Sequence, residues 1–356
     1  MKNRFFLFFL PFCCLIGCDT VDQTTGTISI QWNAPTKLAC SQLRVIPLQT
    51  DSSALIGAYP RYIIHRPESY FVADDDKIIC FDKNGKIQSV IAARGRGPQE
   101  AYDMSHFTAT DSTLLVADLG HKRMLEFDLG GTLRHAWPTE RYFHHFVWFS
   151  GAILLNNQTG DHHDDCVLPV CDVEGKIIHT PQIPIVGKKL NWPPAFFLSK
   201  EGCYYFPALQ NDIDRNYKTQ IAYSFDFGVH GLSPDICEQY AQRQNLFIAF
   251  ADYLRKNDKI AFITFAKTDR WLQLGFYLGG EKPYNWFMNR ETGRQYLVPI
   301  TADGTSPWNH PVIGAEDDRF IVKVEAADYR RWPDCAVEGL AEDANPVLLL
   351  CAPQED

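Results

Sequence analysis

The chain has no surplus of basic charge. It holds 34 Lys and Arg against 43 Asp and Glu, a formal charge of −9. A phosphate backbone needs a basic face, so nucleic acid is excluded as the main partner. Beyond the N-terminus there is no apolar run of about 18 residues, so no helix in the body of the chain is expected to span a bilayer. No linker rich in Gly, Pro or Ser divides residues 28–356. That stretch reads as one domain, although length alone would suggest two. The GxSxG nucleophile elbow is missing, and so is the GxxxxGK[ST] phosphate loop. Eleven cysteines are too few for a disulfide scaffold at this length. What is present is apolar surface. Hydrophobic residues make up 46% and aromatics 13%, which suits a large core and excludes a disordered chain.

The N-terminus reads as an address. Lys2 and Arg4 precede an almost wholly apolar run from Phe5 to Ile16. It is too short to cross a bilayer and has the size of a secretory core segment. It ends in Leu15-Ile16-Gly17-Cys18, which resembles the bacterial lipobox. The expectation is a lipoprotein signal peptide over 1–17, with Cys18 as the lipidated first residue. Loss of Lys2 and Arg4 with that signal would make the chain more acidic still. Residues 18–27 are polar and rich in Thr, and read as a tether.

The body repeats itself. Segments from Tyr70 to Lys86, from Leu114 to Thr132, and from Ala152 to Lys176 align. An aspartate falls at Asp82, Asp128 and Asp172, and a glycine at Gly85, Gly131 and Gly175. A fourth copy is expected at Asp226 and Gly228, with a longer spacing. Repeats of 40–50 residues built of short strands are the signature of propeller blades. The apolar runs inside each repeat are continuous, which fits strands covered on both faces. Such sheets must close into a ring. Candidate strands in the later half run over 202–206, 220–225, 259–266, 271–278, 295–299, 319–324 and 347–351. A helix is expected over part of 233–256, capped by Ser233 with Pro234 in its first turn.

These residues also carry a resemblance. Val116–Gly131 resembles the NHL repeat. Arg94-Gly95-Arg96-Gly97-Pro98-Gln99-Glu100 is similar to a Gly-x-Gly-Pro-x-Glu loop of six-bladed β-propeller lipoproteins of Bacteroidota. Arg44–Leu48 with Ser53–Gly57 resembles the first strand of that family, and Asn345–Leu350 its closing strand. The matches run from residue 15 to residue 351 and are weak from about 185 to 340. The resemblance implies an all-β, six-bladed β-propeller closed by an N-terminal strand beside the C-terminal one. Seven blades are the alternative: six give roughly 52 residues per blade and seven roughly 45, both within the propeller range. It also implies an exported, lipid-anchored protein of the cell envelope, attached to the outer membrane, on its periplasmic or outward face.

The most singular candidate site is the loop carrying Arg94, Arg96 and Glu100. Guanidiniums there could take a carboxylate, a phosphate or a partner loop; the plainer reading is an interblade connection tied by Arg–Glu pairs. His144-His145 and Asp161-His162-His163-Asp164-Asp165 offer ligand chemistry, but adjacent residues rarely hold one ion together, so no metal and no cofactor are expected. Cys166 and Cys171 are close enough for a disulfide. Cys80 and Cys351 read as buried thiols, while Cys40, Cys203, Cys237 and Cys335 cannot be paired from sequence. Trp192, Trp271, Trp286, Trp308 and Trp332 read as interblade packing rather than as ligand platforms. The expected function is a non-catalytic module that binds a small ligand or an envelope protein. It could serve as an accessory of an outer-membrane assembly. A metal-dependent propeller lactonase or a lyase is the alternative.

Overall fold

The computed structural model describes residues 27–355, apart from 58–61, 75, 103, 105, 111, 140–144, 150, 157–168, 173, 180–194, 200–201, 207–211, 216–219 and 242–245. The signal segment, Cys18, the Asp161–Asp165 run, Cys166 and Trp192 therefore lie outside the described residues.

Two strands precede the repeats, β1 (Thr27–Ser29) and β2 (Ala39–Pro47). Sheet I holds β3 (Tyr62–Arg66), β4 (Ser69–Ala73), β5 (Lys77–Asp82) and β6 (Ile87–Ala93). Sheet II holds β7 (His106–Ala109), β8 (Thr113–Asp118), β9 (Arg123–Asp128) and β10 (Leu133–Pro138). Sheet III holds β11 (His145–Phe149), β12 (Ala152–Asn156), β13 (Val170–Cys171) and β14 (Ile177–His179). Sheet IV holds β15 (Ala195–Ser199), β16 (Gly202–Phe206), β17 (Asp212–Arg215) and β18 (Gln220–Asp226), with β1 added outside β18. After helices α1 (Pro234–Ala241) and α2 (Leu246–Lys256), sheet V holds β19 (Ile260–Lys267), β20 (Trp271–Leu278), β21 (Lys282–Asn289) and β22 (Gln295–Pro299). Sheet VI holds β23 (Val312–Glu316) and β24 (Arg319–Val324), then helix α3 (Ala326–Tyr329), then β25 (Val347–Gln354), with β2 outside it.

The first strand of each sheet contacts the first strand of the next: β3 with β7, β7 with β11, and so on to β23, which returns to β3. These inner strands close a ring. The side chains show why the apolar runs are unbroken. In β8, Leu114 and Val116 pack toward sheet I, while Leu115 and Ala117 pack toward sheet III. In β4, Phe71 and Ala73 face sheet II, while Tyr70 and Val72 face sheet VI. The strand period of two is intact, but both faces are interior.

The expected fold, a six-bladed ring or seven blades with one short helical insertion over 233–256, is corrected in three respects. The closed contact cycle leaves no room for a seventh sheet among the described residues. The sheets are also unequal: five have four antiparallel strands, and sheet IV has five because β1 joins it in parallel, Ile28 opposite Phe225. The insertion is two helices, α1 and α2, which pack on each other. Phe250 and Leu254 of α2 are buried, and the Phe250 ring lies 5.4 Å from Tyr240 of α1.

The repeated turn is also visible. Asp82 Oδ1 accepts the N–H groups of Asn84 and Lys86 at 2.8 and 2.9 Å, and Gly85 sits at φ 81°. Asp128 and Asp172 build the same turn with Gly131 and Gly175 at φ 89° and 80°. An aspartate that satisfies two backbone donors and a glycine free at positive φ are what this turn requires. The expected fourth copy is not equivalent, because Asp226 ends the last strand of its sheet rather than leading into it. In sheet V the role passes to Asn289, whose Oδ1 accepts from Glu291 and Thr292, with Gly293 at φ 71°.

The N-terminal segment is a strap. The Trp32 indole donates to Phe227 O of sheet IV at 3.2 Å. The Gln31 N–H donates to Gln295 Oε1 at 2.9 Å, and Pro35 O accepts from Leu297 of sheet V at 3.0 Å. Then β2 pairs antiparallel with β25, Ile46 opposite Leu348. Thr27, placed at the end of the tether from sequence, already lies in β1 opposite Ser224.

Candidate functional site

The Arg94–Glu100 loop joins the outermost strand of sheet I to the innermost strand of sheet II, so it crosses one face of the ring. Its shape is fixed from within. Gly97 N–H donates to Glu100 Oε2 at 2.8 Å. Arg94 N–H donates to Asp76 O at 2.7 Å, and Gly95 N–H to Ala101 O at 3.1 Å. A β-carbon on Gly95 would stand 1.8 Å from Glu100 Oε2, so only glycine lets the carboxylate lie there. Glu100 is thus engaged inside the loop rather than turned to a ligand.

A buried carboxylate holds the loop from below. Asp118, at the end of β8, is fully buried. Its Oδ1 accepts Tyr102 N–H at 3.0 Å. Its Oδ2 accepts Arg123 Nε at 2.8 Å and faces His121 Nδ1 at 2.8 Å. Arg123 reaches on to Glu100 O at 2.7 Å. The Arg–Glu tie expected from sequence is therefore made differently: Arg123 clamps the loop, through its backbone. Arg94 and Arg96 are exposed and form no ion pair with the described residues.

Tyr102, His121 and Asp118 escaped the sequence-based reading. Tyr102 is 44% exposed. The Arg96 guanidinium lies 5.9 Å from its ring centroid, and the His121 ring meets it edge-on at 5.8 Å. Gly120 allows this, because a β-carbon there would be 2.5 Å from the Tyr102 ring. A usable signal existed. Asp74 plays the Asp118 part in sheet I, accepting Gly57 N–H at 2.9 Å, and both aspartates follow Val-Ala in the repeat.

The opposite end of the inner strands holds a second titratable pair. His65 Nε2 of β3 is 3.8 Å from Glu316 Oε1 of β23, and Tyr70 lies against His65 at 5.2 Å. Burial first, and the Arg66 guanidinium second, push His65 down to about 4, with Asp317 opposing. Burial pushes Glu316 up, opposed by Arg319. At neutral pH the contact is a neutral imidazole beside a carboxyl group. The unfolded chain takes this proton near pH 6.5 and the folded chain only near 4, so stability present above 6.5 is lost as pH falls toward 4. The loss from this one residue approaches about 3 kcal/mol. Urea midpoints measured from pH 7 to pH 4 are expected to fall less steeply in His65→Gln than in the wild type; equal slopes would refute the assignment.

Trp286 and Trp308 are fully buried, and Trp271 and Trp332 nearly so, all in interblade clusters. They are packing residues, as expected. Cys80 and Cys351 are buried as expected. Cys171 is buried in the interface of sheets II and III, away from any described cysteine. Among the described residues no three His, Cys, Asp or Glu side chains gather in a cluster able to hold a metal ion. No described helix is long and apolar enough to cross a membrane.

No curated protein matches this sequence. Among solved structures, the chain is similar to a protein of Bacteroides fragilis described as exported. The identity is 18% and the TM-score 0.77, over 93% of this chain and 100% of that one. It is also similar to a member of the DUF4221 family from Bacteroides vulgatus, at 10% identity and TM-score 0.58, over 90% and 99%. At these identities the likeness is one of fold, and it supports the propeller class. The comparisons support the propeller without singling out the NHL-like lipoproteins that the sequence resembles, and over residues 29–352 the chain belongs to the family described as Domain of unknown function (DUF4934).

Proposed function

We propose that the protein is an exported binding module, held at the cell envelope by a lipid on Cys18, whose recognition face is the Arg94–Glu100 loop with Tyr102 and His121. One observation carries the reading: two exposed guanidiniums, with no ion-pair partner among the described residues, stand on a loop made rigid by Glu100, Asp118 and Arg123. A fixed loop loses little entropy on binding, and an exposed Tyr–Arg pair beside unpaired charge is the composition of an interaction hot spot. The chemistry fits an anionic group, either the carboxylate or phosphate of a small ligand or an acidic loop of an envelope protein. The similarity to an exported propeller supports the location.

The test compares full-length wild type with an Arg94→Ala, Arg96→Ala variant in the native envelope, after chemical cross-linking. The variant is expected to keep its near-UV circular dichroism and to lose a specific cross-linked partner, or a titratable anionic ligand, by about tenfold or more. Equal recovery by both proteins would refute the face. In the same preparation Cys18→Ser is expected to shift the protein out of the membrane fraction; full retention with normal processing would refute the anchor.

A further inference from the structure

Five cysteines have described side chains, and three of them, Cys40, Cys335 and Cys351, belong to one cluster between sheets V and VI. Two of these lie on the pair of strands that closes the ring. Cys40 is on β2 and Cys351 on β25. The register sets Cys40 opposite Pro353 and Ser41 opposite Ala352. It then slips before Arg44 meets Leu350, so Cys351 faces a bulge at Gln42 and Leu43. Gln42 sits at φ 52° in that bulge. Cys40 and Cys351 are thus diagonal neighbours on one face of the strand pair. Cys40 Sγ donates to Ser41 O at 3.6 Å, and each thiol bears on the titration of the other. Bulges concentrate local twist and slack in a ladder, which supplies the small movement needed to bring two sulphurs to bonding distance.

We propose that Cys40 and Cys351 form a disulfide that locks the N-terminal strand onto the C-terminal strand and seals the ring covalently.

The chemistry divides between the two residues. Cys40 is half-buried and Cys351 is fully buried. The neighbouring Cys351 thiol, against burial, holds the Cys40 thiol below the usual range. Desolvation holds the Cys351 thiol well above it. Cys40 is therefore the first nucleophile. Its thiolate attacks an external disulfide, forming a mixed disulfide and releasing one thiolate, which takes up a proton. Cys351 then gives its proton to solvent, attacks Cys40 Sγ and expels the second thiolate. Two protein thiols and one external disulfide become one protein disulfide and two external thiols, so electrons and protons balance. Oxidised glutathione serves as that co-reactant in a test. Cys335 lies in the same cluster, but its thiol hydrogen-bonds to Val337 O at 3.7 Å, on a loop outside the clasp.

The bond would close a loop of nearly the whole chain, which is where a cross-link restricts the unfolded state most. The purified full-length protein is to be equilibrated in oxidised and in reduced glutathione, quenched in acid, alkylated under denaturing conditions, and mapped by mass spectrometry. The expected result is a linked peptide pair containing Cys40 and Cys351 in the oxidised sample. The apparent thermal midpoint is expected to lie roughly 5–10 °C above that of the reduced sample. A Cys40→Ser, Cys351→Ser variant is expected to show no redox-dependent midpoint. Complete alkylation of both thiols after oxidation, or linkage of either to Cys335 instead, would overturn the proposal. The mapping needs only the wild-type chain, so a variant that fails to fold does not blunt the test.

Discussion

Asp118→Ala is expected to lower the unfolding free energy by about 3–4 kcal/mol, the cost of removing one partner from a buried, hydrogen-bonded charge pair. The carboxylate is fully buried and serves Tyr102 N–H, Arg123 and His121 at once. Its loss leaves the Tyr102 amide without its acceptor and frees the guanidinium that clamps Glu100 O. Arg123 keeps some contact with solvent, so its charge is not stranded, and the cost stays below the upper limit for such pairs. Asp118→Asn retains an acceptor for one partner and is expected to lose about half as much. Urea denaturation with constant m-value reads both numbers. The functional consequence is separate. With Arg94 and Arg96 intact, the Asp118 variants are expected to lose the same bound partner as the double arginine variant, because the loop no longer presents them. A variant within about 0.5 kcal/mol of the wild type would show that the loop is held by other means.

The second large effect is expected at the ring seam. Asn345 is 1% exposed. Its Oδ1 accepts Ile56 N–H at 2.8 Å, and its Nδ2 donates to Gln49 O and Ala54 O at 2.8 and 2.9 Å. One side chain thus satisfies three backbone groups of the segment that leads from β2 into sheet I. Asn345→Leu keeps the volume and leaves all three unpaired in a buried site, at a cost of about 3–5 kcal/mol. Asn345→Asp keeps the acceptor and loses the donors, and is expected to fall between. Chemical denaturation measures the totals, and native-state hydrogen exchange is expected to show Ile56 and the β2 amides losing protection first. A total below about 1 kcal/mol, with unchanged exchange at Ile56, would mean the seam does not depend on this residue.

Much of this architecture was legible. Seven strands of the later half, from Gly202–Phe206 to Val347–Gln354, fall where short β-prone runs stand in the sequence. They carry their signal locally, in branched and aromatic residues bounded by turn formers. Three of the strands that escaped notice lack it. In β21, Pro283 and two asparagines interrupt the apolar pattern; β23 is short and carries Gly314; β17 is charged at three of four positions. Their strand state comes from neighbours on both sides, which no local window contains. For the candidate site the division is similar. The Gly-Arg-Gly-Pro-Gln-Glu string announces an unusual loop, but that Glu100 folds inward and Arg123 does the clamping depends on a partner more than twenty residues away. The Val-Ala-Asp repeat was the one clue that an aspartate accepting a loop N–H recurs at the end of this strand.

The strap has one more consequence. The chain enters the ring at β1, on the outer edge of sheet IV, and only later reaches the clasp on sheet VI. The lipid proposed on Cys18 would therefore be joined to the ring at its circumference, through β1. The loop that carries Arg94 and Arg96, and the pair His65 and Glu316, belong to sheets I, II and VI, away from the edge that β1 joins.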